Sequence, residues 1–509
     1  VSGRVLDGTT NQPMPNVLVK LVLPAPAAPV TPTQPLTPTG VLTPTEQLTP
    51  TAPATDTQAL GKVIAAPLEA SLVLTSPTAT TLKPTLTPLG PTRTPAPTNT
   101  PAPTSTPMPP TATPTPKPIP PKGDGFLAVY TDEGGNYFFK DVPEGATLTF
   151  KMPGYKLTKS NVDAAQKDVA LEQFKAEAIY ITANWAASPD LLEETLDWVK
   201  ESRINAIVVN VQNDASEWVF DTQNEDVLAA NNHDKFMTDM ADFVKDLQSR
   251  DLYVIARVVV FQQKTMAEQR PEWAVLSSES GGPWKGGYAG HQKWLDASNP
   301  AAQDHMIAMT KEVLQLGFDE IQYDYVRFPS DPAPSEDGDM IFSAGAITDT
   351  GKVQALKGFL KKAYEVIQPT DAFLSIDLFG YTLWPDRDGR PILGVIGQVI
   401  PELIEYTDYI CPMIYPSHFS PGEQGCDVPA RCAYELVHKS GEYAQELFAG
   451  HRAKYRPWLE DFDWPGADYT SPGSKLVPDQ IRAAAETGAW GWMMWDPAVN
   501  YEPRSAFEK

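Results

Sequence analysis

Residues 318–329 read FDEIQYDYVRFP. They follow Gly317, a helix stop, and predict a short apolar strand whose last residues turn polar. Gln322 and Asp324 fall on one face, because side chains alternate along a strand. Arg327 follows, and Phe328-Pro329 ends the strand. A carboxylate at the C-terminal tip of a strand, inside a run of strand–helix units, is where a β/α barrel keeps its chemistry. Asp324 is therefore the first catalytic candidate.

Strand and helix patterns alternate on both sides of this stretch. Strands are expected at 178–182, 206–211, 253–261, 320–324, 373–379, 409–414, 455–461 and 489–495, with helices at 188–202, 233–249, 299–316, 352–367, 393–406, 430–447 and 478–487. Ser188-Pro189-Asp190 caps one helix, with Pro in its first turn. Phe236, Met240, Phe243, Val244 and Leu247 share one face of another. Eight strands alternating with helices predict an α/β chain whose residues 173–509 form a (β/α)8 TIM barrel. An open doubly wound sheet would want a Gly-rich turn after its first strand, and Ile181-Thr182-Ala183-Asn184-Trp185 has none. Few residues follow Trp495, so the eighth helix is short or missing.

The N-terminal part reads differently. Residues 1–23 alternate as a strand pair, with a turn at Asp7-Gly8, and strand patterns resume at 126–131, 137–139 and 146–151. Between them, residues 24–121 hold 26 of the chain's 51 prolines, many in Thr-Pro repeats. Proline removes backbone donors and favours an extended chain, so residues 24–123 are expected to be a disordered, semi-stiff Pro/Thr-rich spacer. Such a spacer suits a secreted or cell-surface protein, and its threonines suit O-glycosylation.

Composition narrows the function. The 509 residues carry a net charge of −24 and a pI of about 4.6. That argues against a nucleic-acid partner, since phosphate binding needs a basic face. No apolar run is long enough for a transmembrane helix. The chain starts at Val1 without an export signal, which reads as a processed or trimmed protein. Three cysteines make no disulfide scaffold. Cys426 and Cys432 could pair if the protein is exported, or remain two loop thiols; Cys411 reads as a buried strand residue. The six histidines make no ligand pattern, so neither a metal nor a cofactor is expected. No GxSxG elbow is present, and residues 345–352 (GAITDTGK) only mimic a phosphate loop.

Polar residues collect where the expected strands stop. Asn184 and Trp185 follow strand one; Asn210 and Asp214 lie at strand two; Arg257 lies in strand three; Asp324 and Arg327 end strand four. Asp377 lies in strand five, Tyr415 and His418 follow strand six, Glu460 and Asp461 end strand seven, and Trp495 and Asp496 end strand eight. Arg257 and Asp324 on neighbouring strands could be a structural ion pair, since a buried charge is costly unless paired. Alternatively, Arg257 holds Asp324 ionised as a nucleophile, and Asp377, one strand on, is the proton donor. Two carboxylates about 5–5.5 Å apart would mean a retaining glycosidase; a separation beyond about 10 Å would favour a barrel that only binds glycan. Asp461 is the reserve acid/base. The aromatics Trp185, Tyr325, Tyr415, Trp458 and Trp495 suit stacking on pyranose faces, though many of the chain's aromatic rings must be core. The expected substrate-binding set is Arg257, Arg327, Asn210, Tyr415, His418, Trp495 and Trp185.

Two resemblances add to this reading. GRVLDGTTNQPMPNVLVKL, TDEGGNYFFKDVPEG and MPGYK resemble a carboxypeptidase-regulatory-like β-sandwich, in two pieces covering 1–23 and 124–172. The Pro/Thr tract would then lie inside that domain, which loop-closure entropy tolerates. IARVVVF, RPEWAV, FDEIQYDYVRFPSD, SIDLFG, CPMIYPSHF, PWLEDF and GWMMWDP, in that order, resemble the "Putative glycosyl hydrolase domain" family, which implies a TIM barrel and carbohydrate chemistry. A fourth-strand Asp with a fifth-strand carboxylate is also similar to the α-amylase superfamily, where the second residue is usually Glu rather than Asp377. The function expected is a secreted glycoside hydrolase cleaving O-glycosidic bonds of an oligo- or polysaccharide. The alternatives are a non-catalytic cell-wall glycan-binding protein and a surface adhesion protein.

Overall fold

The computed structural model describes residues 1–24, 119–286, 292–330, 339–345, 347–385, 392–464 and 476–509. Most of the expected Pro/Thr spacer lies outside them.

The N-terminal strands form two sheets. Ser2–Asp7 lies between Asn136–Phe138 and Val169–Leu171 in one; the other has the order Phe126–Tyr130, Leu18–Val22, Thr147–Lys151, Thr158–Asn161. Alternation along Leu18–Val22 sends Val19 and Leu21 inward, where they meet Leu148 and Phe150 of their own sheet and Val5 and Leu171 of the other. The flanks of the Pro/Thr tract converge, because Val22 pairs with Phe126 and Leu23 N–H donates to Gly125 at 2.8 Å. The tract therefore enters and leaves between two adjacent antiparallel strands.

Eight parallel staves then close into a barrel. They are Ala176–Ile181, Ala206–Asn210, Tyr253–Val259, Glu320–Asp324, Phe373–Phe379, Tyr409–Ile414, the broken pair Lys454–Tyr455 and Trp458–Glu460, and Gly491–Trp495, which pairs back onto the first. The seventh stave is interrupted at Arg456-Pro457, where proline has no N–H to give the ladder. Inward positions make an apolar cluster that includes Tyr180, Val208, Ile255, Phe373, Cys411, Trp458, Met493 and Trp495. Outward positions join the helices in a much larger core.

Most helices lie where periodicity places them: Pro189–Glu201, Pro300–Gln315, Asp349–Ile367, Ala433–Leu447 and Val477–Glu486. Two differ. The second begins only at Met240, because the preceding residues are drawn into a bridge between His233 and Trp218. The helix expected at 393–406 is three short turns, Ile392–Ile396, Ile400–Leu403 and Ile404–Tyr406. Gly397 breaks it at φ +86° between them, against Leu356. The eighth helix is reduced to the turn Arg504–Phe507. No helix among the described residues is long and apolar enough to cross a membrane.

The outer face of the four-stranded sheet is covered by the N-terminal end of the barrel. Lys20 Nζ donates to Pro369 O (2.8 Å), Thr370 O (3.1 Å) and Asp371 Oδ1 (3.0 Å). Lys151 Nζ donates to Thr370 O (3.2 Å) and Ala372 O. Tyr409, first residue of the sixth stave, accepts Gly154 N–H at 2.7 Å. The opposite end, where the catalytic candidates lie, is left to the strand-end loops.

Candidate active site

Parallel pairing sets the layer in which the charged residues meet. Arg257 is in register with Asn210 and Gln322, and Gln322 with Ser375. Two residues on, Asp324 and Asp377 are neighbours on the inward face. Adjacent strands lie about 4.8 Å apart.

The two carboxyls have different partners. Arg257 Nε donates to Asp324 Oδ2 at 3.0 Å and Nη2 donates to the same oxygen, while Nη1 donates to Asn210 Oδ1 at 2.8 Å. Asn210 Nδ2 donates in turn to the Tyr180 hydroxyl at 2.8 Å. The other Asp324 oxygen accepts Tyr325 N–H at 2.6 Å. Tyr325 sits at φ +53°, a left-handed backbone that costs a bulky residue energy and that surrounding structure must enforce. Among the described residues, Asp377 accepts a hydrogen bond only from a neutral donor, Trp458 Nε1, at 2.8 Å. Burial, then the negative charge of Asp324, pushes the Asp377 carboxyl well above the usual range, so it gives up its proton less readily than an ordinary carboxyl. Burial opposes the charge of Arg257, but Asp324, and secondarily Tyr180, hold its guanidinium above its ordinary pKa.

The barrel interior holds a second carboxylate–guanidinium pair that makes a useful control. Arg456 meets Glu320 near the N-terminal end, with side chains 1% and 0% exposed. The Arg257–Asp324 pair is 6% and 11% exposed. The sealed pair has no route to a ligand; the other reaches the mouth.

The remaining candidates divide into those that border this layer and those turned away. Trp495 stacks on Tyr180 (4.1 Å between centroids), meets Trp458 edge-on (5.5 Å) and lies 5.0 Å from the Arg257 guanidinium. It walls the charged group from one side. Arg327 is held by Trp294, Tyr325 and Phe379 at 4.7–5.1 Å and donates to Ser330 Oγ at 2.8 Å. It braces the loop after strand four. Trp185 turns to the following helix, where Nε1 donates to Thr195 Oγ1 at 2.9 Å. Asp461 accepts Glu502 N–H at 3.0 Å from the C-terminal segment, whereas Glu460 shares the inward face, in register with Trp495. Tyr415 and His418 lie together after strand six (5.6 Å), with Phe462 from strand seven. Among the described residues, no group of three or more His, Cys, Asp or Glu is placed to hold a metal ion.

The sequence of residues 178–501 matches the family described as "Putative glycosyl hydrolase domain". The chain belongs to that family. This glycosyl-hydrolase-like domain takes in all eight staves except the first two residues of strand one. No curated protein sequence matches the chain. Among solved structures it is similar to a hypothetical protein from Ruminiclostridium thermocellum ATCC 27405 (28% identity, 39% of this chain and 96% of that one, TM-score 0.34). It is also similar to the PgaB (BpsB) glycoside hydrolase domain from Bordetella bronchiseptica (15%, 65% and 97%, 0.48). A third is alpha-L-fucosidase isoenzyme 2 from Paenibacillus thiaminolyticus (12%, 66% and 48%, 0.44).

Proposed function

We propose that the barrel is a retaining glycoside hydrolase acting on O-glycosidic bonds of an oligo- or polysaccharide. The observation that carries this is the pair Asp324 and Asp377, adjacent on one inward face yet held in opposite environments. Separating two neighbouring carboxyls this way equips one for anionic work and the other for proton donation. Asp324 attacks the anomeric carbon while Asp377 gives its proton to the departing oxygen. The bond to the leaving group breaks as the bond to Asp324 forms. Asp377, now a carboxylate, takes a proton from water, and that water displaces Asp324. Arg257 holds Asp324 in line throughout, and Asn210 and Tyr180 hold Arg257.

The test uses the full chain, Asp324→Asn and Asp377→Asn on a panel of plant and bacterial polysaccharides and aryl glycosides. Hydrolysis should fall by roughly a thousandfold or more in Asp324→Asn. Asp377→Asn should keep most activity only on aryl glycosides with an acidic phenol, where no proton need be donated. Proton NMR of the first product should show retained configuration. Activity surviving in both variants would remove these two residues from the mechanism. A wild type that binds glycan and cuts none would make the barrel a binding module.

A further inference from the structure

The loops after strands six and seven carry a second polar group, at the edge of the layer that holds Asp324. Ser417 donates to Glu460 Oε2 twice, from its backbone N–H (3.0 Å) and from its hydroxyl (2.7 Å). The same hydroxyl oxygen lies 3.0 Å from His418 Nδ1. A hydroxyl has one hydrogen, and a carboxylate beside it can only accept. With Glu460 ionised, the Ser417 hydrogen goes to Glu460, and His418 Nδ1 carries a proton and donates to Ser417. That fixes one tautomer and leaves Nε2 as an acceptor. Among the described residues, Nε2 has no hydrogen-bond partner.

The surroundings of this imidazole are aromatic. Trp464 lies on it at 4.2 Å between centroids, tilted by 44°. Tyr415 and Phe462 meet it edge-on at 5.6 and 5.4 Å. Burial holds its pKa at about 4, so it stays neutral near pH 7. Tyr415 and Phe462 belong to the same apolar cluster as Trp495, the ring that covers Arg257. The group is thus continuous with the candidate active site, with Trp464 half-buried at its outer edge.

A flat apolar ring beside an oriented acceptor, opening from a glycosidase-like mouth, fits a pyranose: its C–H face packs on the ring and a hydroxyl donates to the acceptor. We propose that the strand-six and strand-seven loops form a second sugar subsite, in which a pyranose of the substrate chain lies against Trp464 and donates a hydroxyl hydrogen to His418 Nε2, and that Glu460 positions that imidazole through Ser417. This rests on the carbohydrate reading of the same mouth and adds to it that the substrate spans at least two sugars. Glu460 acts at one remove and is a positioning residue.

The experiment is calorimetric titration of the full-length Asp324→Asn protein with cello-, xylo-, malto- and chito-oligosaccharides of increasing length. Hydrolysis of the same ladders by wild type is followed alongside. One ladder should gain about tenfold in affinity on adding the unit that reaches the second subsite. Trp464→Ala and His418→Ala should erase that gain, and His418→Gln, which restores an acceptor, should recover part of it. Ser417→Ala should lose part of the gain while melting within a few degrees of the parent. Its His418 nitrogen resonances should change from one tautomer to a mixture, which a merely structural serine would not cause. A length gain without hydrolysis supports the subsite while removing the hydrolase reading. Hydrolysis with no length gain, or a gain untouched by Trp464→Ala and His418→Ala, overturns the subsite, as does the absence of binding to every ladder.

Discussion

Asp377 is a carboxyl that the fold makes a weaker acid, and this has a measurable consequence for stability. Its pKa in the folded protein lies well above the ordinary 3.8. The folded state therefore holds a proton that the unfolded chain releases, and stability falls as pH rises from about 4 toward the folded pKa. Asparagine has the same shape and no proton to lose. Asp377→Asn should match wild type in melting temperature below pH 4 and exceed it increasingly as pH rises above 4 toward the folded pKa, as scanning calorimetry across pH would show. A gap that does not grow with pH would mean that the fold does not raise the Asp377 pKa. Arg257, Asp324, Asp377 and Asn210 were legible because charged or amide groups inside apolar strand runs demand partners. Tyr180 was not legible, since a tyrosine in such a run reads as core. Nor was the orientation of Glu460 against Asp461, which depends on how the chain resumes after the break at Pro457.

The seam that closes the barrel between staves one and eight includes one very close backbone approach. Gly491 opens the eighth stave at φ +92°, and a Cβ there would lie 2.0 Å from the Ala176 carbonyl oxygen. No side chain fits without moving one strand off the other. Gly491→Ala should destabilise the barrel by about 3 kcal/mol or more, read from denaturant unfolding, with the loss shared by strands one and eight in hydrogen exchange. A loss below about 1 kcal/mol would show that the seam can yield. Strand seven is secured differently. Gln480 accepts Glu460 N–H at 3.0 Å and donates to Glu460 O at 2.9 Å, so a helix side chain fastens the short segment after Pro457. At this scale the sequence was a good guide to the staves, because periodicity is local. It was a poor guide to residues 393–406, whose apolar spacing resembles a helix although Gly397 and Pro401 deny it one.

In the whole molecule, the four-stranded N-terminal sheet covers the end of the barrel opposite the mouth. Lys20 and Lys151 grip the segment 369–372, which leads directly into the strand that carries Asp377. Burial, and among nearby charges chiefly Lys20, lowers the Lys151 pKa to about 7, against opposing attraction from Asp408. A base with a depressed folded pKa takes up its proton later than the unfolded chain as pH falls, so its contribution to stability grows from pH 7 to about 10.5 and is lost as pH falls through 7. Lys151→Met should remove this rise. The wild-type minus variant difference in unfolding free energy should increase from pH 7 to 9.5, by up to about 1.4 kcal/mol per pH unit. A difference independent of pH would show that Lys151 is charged throughout that range.

The sequence by itself determined the alternation of eight strands with helices, the strands on which Arg257, Asp324 and Asp377 lie, and the interruption of the N-terminal strands by a proline tract. Those follow from spacing, from the cost of charge in apolar runs and from the chemistry of proline. Only the tertiary structure decided that Asp324 and Asp377 face each other in one layer, that Trp495, Trp458 and Tyr180 wall that layer, and that the outer face of an N-terminal sheet is buried against the barrel. Register, closure and docking arise from pairings between residues tens to hundreds of positions apart, and a local pattern cannot encode which distant face will cover it.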